Sequence, residues 1–190
     1  MQMLILADRQ SACFYPDDLA QKMEQAARGA GHETTTITLS SDELLPCMGC
    51  FKCWVQTPGL CIYTNDAANS IAAEMFRADV VVLISEVTYG GYSFDSKSFL
   101  DRFIPNILPY FEIVVGEMHH KMRYAQMPVM ASFGYGDFSE AEARIFTDLI
   151  ARNAVNIRPN SSFVYTVNSL EKFGDTVKEL LSALQSAVQS

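Results

Sequence analysis

Asp79-Val80-Val81-Val82-Leu83-Ile84-Ser85 is the stretch on which the fold of this chain turns. Its five consecutive apolar residues are too few for a helix and too uniformly apolar for a strand with one wet face. A run of this kind is a strand buried on both faces, and such strands belong to parallel sheets covered by helices on each side.

The flanking sequence carries the same alternation of short apolar runs and longer amphipathic segments. Upstream, Met3 to Ala7 reads as a first buried strand. Asp17 to Ala30 reads as a helix, with Leu19, Met23, Ala26 and Ala27 near helical spacing and Gly31 as its stop. His32 to Leu39, rich in Thr and Ile, is a second strand. A cysteine-rich loop at about 44–64 follows, and Asn65 or Asp66 is placed to cap a helix through Phe76.

Downstream, a Gly- and Tyr-rich loop at 86–94 leads into a helix from about Ser96 to Leu108. Met127 to Phe133 is the fourth strand, and Ser139 to Asn153 a helix opened by a Ser-Glu-Ala-Glu cap. Phe163 to Val167 is the fifth strand and Leu170 to Val188 the closing helix. Strands and helices in strict alternation predict a single doubly wound α/β domain over 1–190. Residues 109–126 are the least readable; Phe111 to Val115 reads equally as an extra strand or an extended loop.

A chain of 190 residues, 49% hydrophobic and 19% charged, can bury one good core without a disulfide scaffold. The net charge of −8 repels phosphate backbones and argues against a nucleic-acid partner. Met1 to Leu6 is too short for a signal sequence, and no stretch reaches the ~20 apolar residues of a membrane span. The expectation is a cytoplasmic protein with no membrane partner.

Of the five cysteines, four fall within fifteen positions: Cys47-Met48-Gly49-Cys50-Phe51-Lys52-Cys53, then Cys61 beyond a Pro58-Gly59 turn. The Cys-x2-Cys-x2-Cys spacing lets three sulfurs point into one concavity, with Cys61 closing the set. Four thiolates suit a cubane cluster or tetrahedral zinc, and soft sulfur does not choose between them. Buried reduced thiols and a redox disulfide near Lys52 are the other readings. Cys13 reads as a lone thiol.

The unusual residue clusters, at 8–16, 44–64, 86–94 and 134–138, lie just after strands. In doubly wound sheets that edge binds the ligand, although periodicity alone does not separate the two common strand orders. Gly134-Tyr135-Gly136-Asp137 is placed to line such a cleft.

Glu86-Val87-Thr88-Tyr89-Gly90-Gly91-Tyr92-Ser93, with Lys97 and Asp101-Arg102 after it, resembles the flavin-ring loop of NADPH-dependent FMN reductases. The cysteine motif, with Asn65-Asp66 after it, resembles that of the iron-sulfur flavoprotein branch of the family. The resemblance covers about the first 140 residues. It implies a flavodoxin-like three-layer sandwich whose five-stranded parallel sheet has the order 2-1-3-4-5, with FMN at the sheet edge.

Carried onto this chain, the resemblance makes Thr88, Tyr89, Gly90, Gly91 and Tyr92 a flavin platform. An aromatic ring would cover the isoalloxazine while glycine amides reach its polar edge. Gly134 and Tyr135 would line the same cleft, and Cys47, Cys50, Cys53 and Cys61 would hold a [4Fe-4S] cluster, with zinc as the alternative. The first loop, Asp8 to Pro16, has no glycine, which leaves Arg9 and Ser11 to hold the phosphate.

The implied activity is an FMN-dependent oxidoreductase or electron carrier. Electrons would come from NAD(P)H or a protein donor and pass to a small-molecule or protein acceptor. The resemblance also implies a homodimer or higher homo-oligomer, with 109–126 as a candidate contact. The rival reading is a flavodoxin-like binding module without FMN, whose cysteine loop carries structural zinc or redox-active thiols. Trp54 reads as packing for the loop or a shield for a cluster, and His119-His120 as a solvent-facing pair.

Overall fold

The apolar run at 79–85 becomes strand β3 (Val80–Glu86), and its residues Val80 to Ile84 are at most 4% exposed. The computed structural model describes residues 1–9 and 16–188. Before β3 come strand β1 (Gln2–Asp8), helix α1 (Pro16–Gly29), strand β2 (Glu33–Leu39), the short helix α2 (Lys52–Val55) and helix α3 (Ala68–Arg77). After it come helix α4 (Phe94–Leu100), a 3-10 turn over Asp101–Asn106, and strands β4 (Ile107–Val114), β5 (Glu117–Met122) and β6 (Val129–Tyr135). Helix α5 (Glu140–Ile157), strand β7 (Ser162–Val167) and helix α6 (Leu170–Val188) complete the chain.

The main sheet is parallel throughout, in the order β2-β1-β3-β6-β7. With the separate β4–β5 pair left out of the count, this is the expected order 2-1-3-4-5. Alternation along the strands divides the core between two faces. Val80, Val82 and Ile84 join Met3, Ile5 and Ala7 beneath Leu19 and Met23 of α1 and Phe173 and Val177 of α6. Val81 and Leu83 join Leu4 and Leu6 beneath Ile71 and Met75 of α3, Phe99 of α4 and Phe103. The register Met3↔Val80 and Ile5↔Val82 keeps those two sets on their own sides.

Helix α5 packs close against β6 because Gly134 has no side chain. A Cβ there would lie 2.7 Å from Val87 Cγ2 and 2.8 Å from Phe146 Cε1, both buried. Gly134→Ala is expected to cost about 1–2 kcal/mol through overpacking. Urea denaturation measures this, and an unmoved midpoint would contradict the close approach.

The helix expected over 96–108 stops at Leu100 and tightens into the 3-10 turn that contains Pro105. Proline offers no N–H and pushes the residue before it out of helical geometry, which accounts for the early stop. Residues 109–126 resolve into an antiparallel hairpin, β4 with β5, closed at Val115-Gly116 with φ of 50° and 80°. Two positive φ values mark a type I′ turn, here without the Asn-Gly pair that would have revealed it.

The hairpin corrects the solvent-facing reading of His119-His120, because neighbours on a strand point to opposite sides. His119 is buried and its Nδ1 lies 2.8 Å from Asn156 Oδ1 of α5, while His120 Nδ1 lies 2.8 Å from Leu108 O. Arg158 ties the hairpin down further, bonding Glu112 at 2.5 Å and the carbonyl of His120 at 2.7 Å. Ser139 forms the predicted capping box with Glu142, whereas α3 begins at Ala68, two residues beyond Asp66. Among the described residues, no helix is long and apolar enough to cross a membrane.

Candidate functional site

Three strand ends meet through one buried carboxylate at the C-terminal edge of the sheet. Asp8, the last residue of β1, is 3% exposed; its Oδ1 accepts from the Tyr135 hydroxyl at 2.8 Å and its Oδ2 from the Glu86 amide at 2.7 Å. The nearby Ser93 hydroxyl favours its charged form. Burial drives the Asp8 pKa from 3.8 up to about 6 against the lowering effect of these hydrogen bonds, and the Glu86 charge adds to the rise. Burial and the Asp8 charge also raise the Tyr135 hydroxyl. Ser93 goes on to cap α4, accepting from the Ser96 amide at 3.2 Å, and its own amide donates to Ser85 Oγ at 3.0 Å.

The loop after β3 starts from this network. Thr88 and Gly91 bond each other's backbone at 3.0 and 2.9 Å around Tyr89 and Gly90, whose φ values are 51° and 77°. The amides of Thr88 and Gly91 are therefore engaged inside the turn, and the Tyr89 ring stands 91% exposed at its tip. Gly90 lies against α5, where a Cβ would meet Ile145 at 2.7 Å. Tyr92 turns inward, accepts from Asn153 Nδ2 at 2.9 Å and packs edge-on to Phe146; burial pushes its pKa up to about 12.

The structure thus gathers Thr88, Tyr89, Gly90 and Gly91 into one turn and sets Tyr92, Gly134 and Tyr135 in the packing beneath it. Arg9 is exposed and paired with Asp42 of the loop after β2. Ser11 and Cys13 lie outside the described residues.

The four cysteines of the loop are free thiols that line one pocket, together with Tyr63, Ile104 and Arg102. Cys53 is buried and Cys50 exposed, with Cys47 and Cys61 between. Burial pushes the Cys53 thiol up, and the other three sulfurs add to the rise. The free volume is about 20 Å³, and among the described residues no three His, Cys, Asp or Glu side chains converge on one metal ion.

Both ends of the loop are anchored. Asn69 accepts from the Cys61 amide at 2.9 Å and donates to the carbonyls of Cys61 and Tyr63 at 3.0 and 3.1 Å. Asp66 Oδ2 accepts from the Leu45 amide at 3.0 Å, and Arg102 donates to the Leu45 carbonyl at 2.7 Å. Arg102 and Asp66 form a two-pronged pair at 2.7 and 3.1 Å, with side chains 1% and 2% exposed. Trp54 closes the outer side, donating to the carbonyls of Ile104 and Ile107 at 3.1 and 3.0 Å and packing against Phe51 and His120.

Sequence reasoning placed Asp66 as a helix cap and Arg102 as a spacing match, and missed that they are a buried pair beside the sulfurs. The available signal was Arg102 three residues after Phe99, on the helix face that continues to Phe103. Asp8 was legible only as an acid closing an apolar strand.

Fold and strand-end loops together define a flavodoxin-like α/β protein. The model of the NADPH-dependent FMN reductase family matches residues 10–168, and the chain belongs to that family. An iron-sulfur flavoprotein of Methanocaldococcus jannaschii is 36% identical over 87 residues, 46% of this chain and 44% of that protein. The chain spans less than half the length of the curated relatives it matches. Among solved structures, an NAD(P)H:quinone oxidoreductase from Methanothermobacter marburgensis superposes with a TM-score of 0.69 at 9% identity, over 96% of this chain and 94% of that one. A flavodoxin from the domain Archaea superposes with a TM-score of 0.55 at 12% identity, over 100% of both chains.

Proposed function

We propose that this chain is an FMN-dependent oxidoreductase or electron carrier that also binds a [4Fe-4S] cluster through Cys47, Cys50, Cys53 and Cys61. Membership of the FMN reductase family supports the flavin, and NAD(P)H or a protein donor would reduce it. The acceptor would be a small molecule or a protein. Bound FMN would supply the chemistry, exchanging electrons in pairs or singly. The Thr88–Tyr92 turn, with Gly134 and Tyr135 behind it, would hold the ring, and Arg9 and Ser11 would serve the phosphate.

The observation that carries the cluster reading is that four thiols and the buried Arg102 line one pocket. Arg102 Nε is buried with no hydrogen-bond partner, which fits a negatively charged sulfur set beside it. Zinc needs four sulfurs ~2.3 Å from a single point, whereas a cubane spreads its thiolates over four irons. The second aspect of the proposal concerns assembly. Tyr110, Phe111, Ile113, Val115 and Met118 expose apolar surface on the hairpin, which we assign as the contact between copies in a homodimer or higher oligomer.

One observation favours the rival, a flavodoxin-like binding module without FMN: the buried Asp8 carboxylate sits where β1 enters its ligand loop. Anaerobic purification with flavin, iron, sulfide and zinc analysis separates the two. Stoichiometric FMN with iron and sulfide is the expected result. Colourless protein that holds zinc and takes up no added FMN would overturn the proposal. Cys50→Ser should abolish iron and sulfide uptake while the far-ultraviolet dichroism stays native; undiminished iron in that variant would refute the ligand assignment.

A further inference from the structure

The cysteine pocket has one charged wall. The Arg102 side chain is 1% exposed, reaches the pocket from the 3-10 turn, and is fixed by Asp66 and the Leu45 carbonyl through its two terminal nitrogens. Nε is left without a hydrogen-bond partner in a buried position. An orphaned guanidinium N–H is costly unless something it faces repays the lost water. Cys47, Cys50, Cys53 and Cys61 line the same pocket as Arg102. The Tyr63 ring, 5.4 Å from the guanidinium carbon, covers another side and prevents it from turning away.

We propose that Arg102 is the positioning residue of the cysteine site, holding a fixed positive charge and an unpartnered N–H in the wall of the pocket the four sulfurs line, so that a bound iron-sulfur cluster is easier to reduce. The inference rests on the cluster reading above. Reduction adds one electron, and so one negative charge, to the cluster and its thiolates, and a buried cation with hydrogen bonds to sulfur favours the form with more negative charge. Asp66 does the opposite: it orients Arg102 but partly cancels its charge. Arg102 and Asp66 therefore shift the potential in opposite directions, which a merely structural pair would not do.

The test is a redox titration, followed by visible absorption and electron paramagnetic resonance, of protein reconstituted anaerobically with iron and sulfide. At the midpoint potential of the unmodified protein, Arg102→Gln should lower the ratio of reduced to oxidised cluster about tenfold, equivalent to about 59 mV for a one-electron couple. Asp66→Asn, which keeps one acceptor oxygen for Arg102, should raise the ratio. Arg102→Lys, with the charge kept but the planar guanidinium lost, should fall between Arg102→Gln and the unmodified protein. If Arg102→Gln does not fold, the signs for Asp66→Asn and Arg102→Lys decide. Loaded variants with unmoved midpoints, or with Arg102 and Asp66 variants shifted the same way, would overturn this proposal and leave the cluster reading standing. An unmodified protein that takes up no iron and sulfide overturns both.

Discussion

Replacing Arg102 with Met should lower the stability of the metal-free protein by about 3–5 kcal/mol, because it strands the Asp66 carboxylate, 2% exposed, without its cation. The pair is not itself expected to be worth that much. Taking both charges out of water is costly, and the double variant Arg102→Met/Asp66→Leu, which removes both, should be more stable than the single one. Urea denaturation at pH 7 measures both, and a double variant no better than the single would show that the cost lies in lost packing. Burial alone would raise the Asp66 pKa, but the Arg102 hydrogen bonds, those from Leu45 and Ala68 and the Arg102 charge outweigh it and hold the group below its usual value. The stabilisation from this lowered pKa is thus present above the ordinary carboxylate range and is lost as the pH falls through the lowered value. The loop anchor should survive mild acid.

Asp8→Asn should stabilise the protein at neutral pH. The Asp8 pKa rises from 3.8 to about 6 on folding, so the folded state holds the proton more tightly than the unfolded one. Below about pH 4 both states are protonated and the group costs nothing on this account. Between about pH 4 and 6 the unfolded chain ionises first, and stability falls as the pH rises. Above about pH 6 the full cost, on the order of 3 kcal/mol, persists as a buried charge. Asparagine keeps an acceptor for the Glu86 amide and can donate to the Tyr135 oxygen in place of accepting from it. Denaturation of both proteins at pH 4 and pH 7.5 checks this: the advantage of the variant should appear only at the higher pH, and an equal difference at both would overturn the assignment. A carboxylate retained at such cost, at the sheet edge where this fold binds ligands, is characteristic of functional sites.

The fold was legible because its signal is periodic. Val80 to Ile84 read as buried on both faces and are so, and Ser139 announced its helix through its capping box. Residues 107–122 were opaque because Val115-Gly116 makes a type I′ turn without the usual residue pair, and because Pro105 breaks a helical pattern that otherwise continues. The candidate site was half legible. Clusters such as Cys47 to Cys53 and Tyr89 to Gly91 are local in sequence and stand out. Arg102 with Asp66, 36 positions apart, and Asp8 with Tyr135, 127 apart, do not.

By itself, then, the order of residues determined the strands, their covering helices and the four sulfurs in one loop, since burial patterns and motif spacing are properties of neighbours along the chain. Only the tertiary structure decided which charges face that loop and which carboxylate closes the sheet edge. A buried ionisable group is defined by the water it has lost and by partners brought from distant segments, and neither is written in the residues beside it.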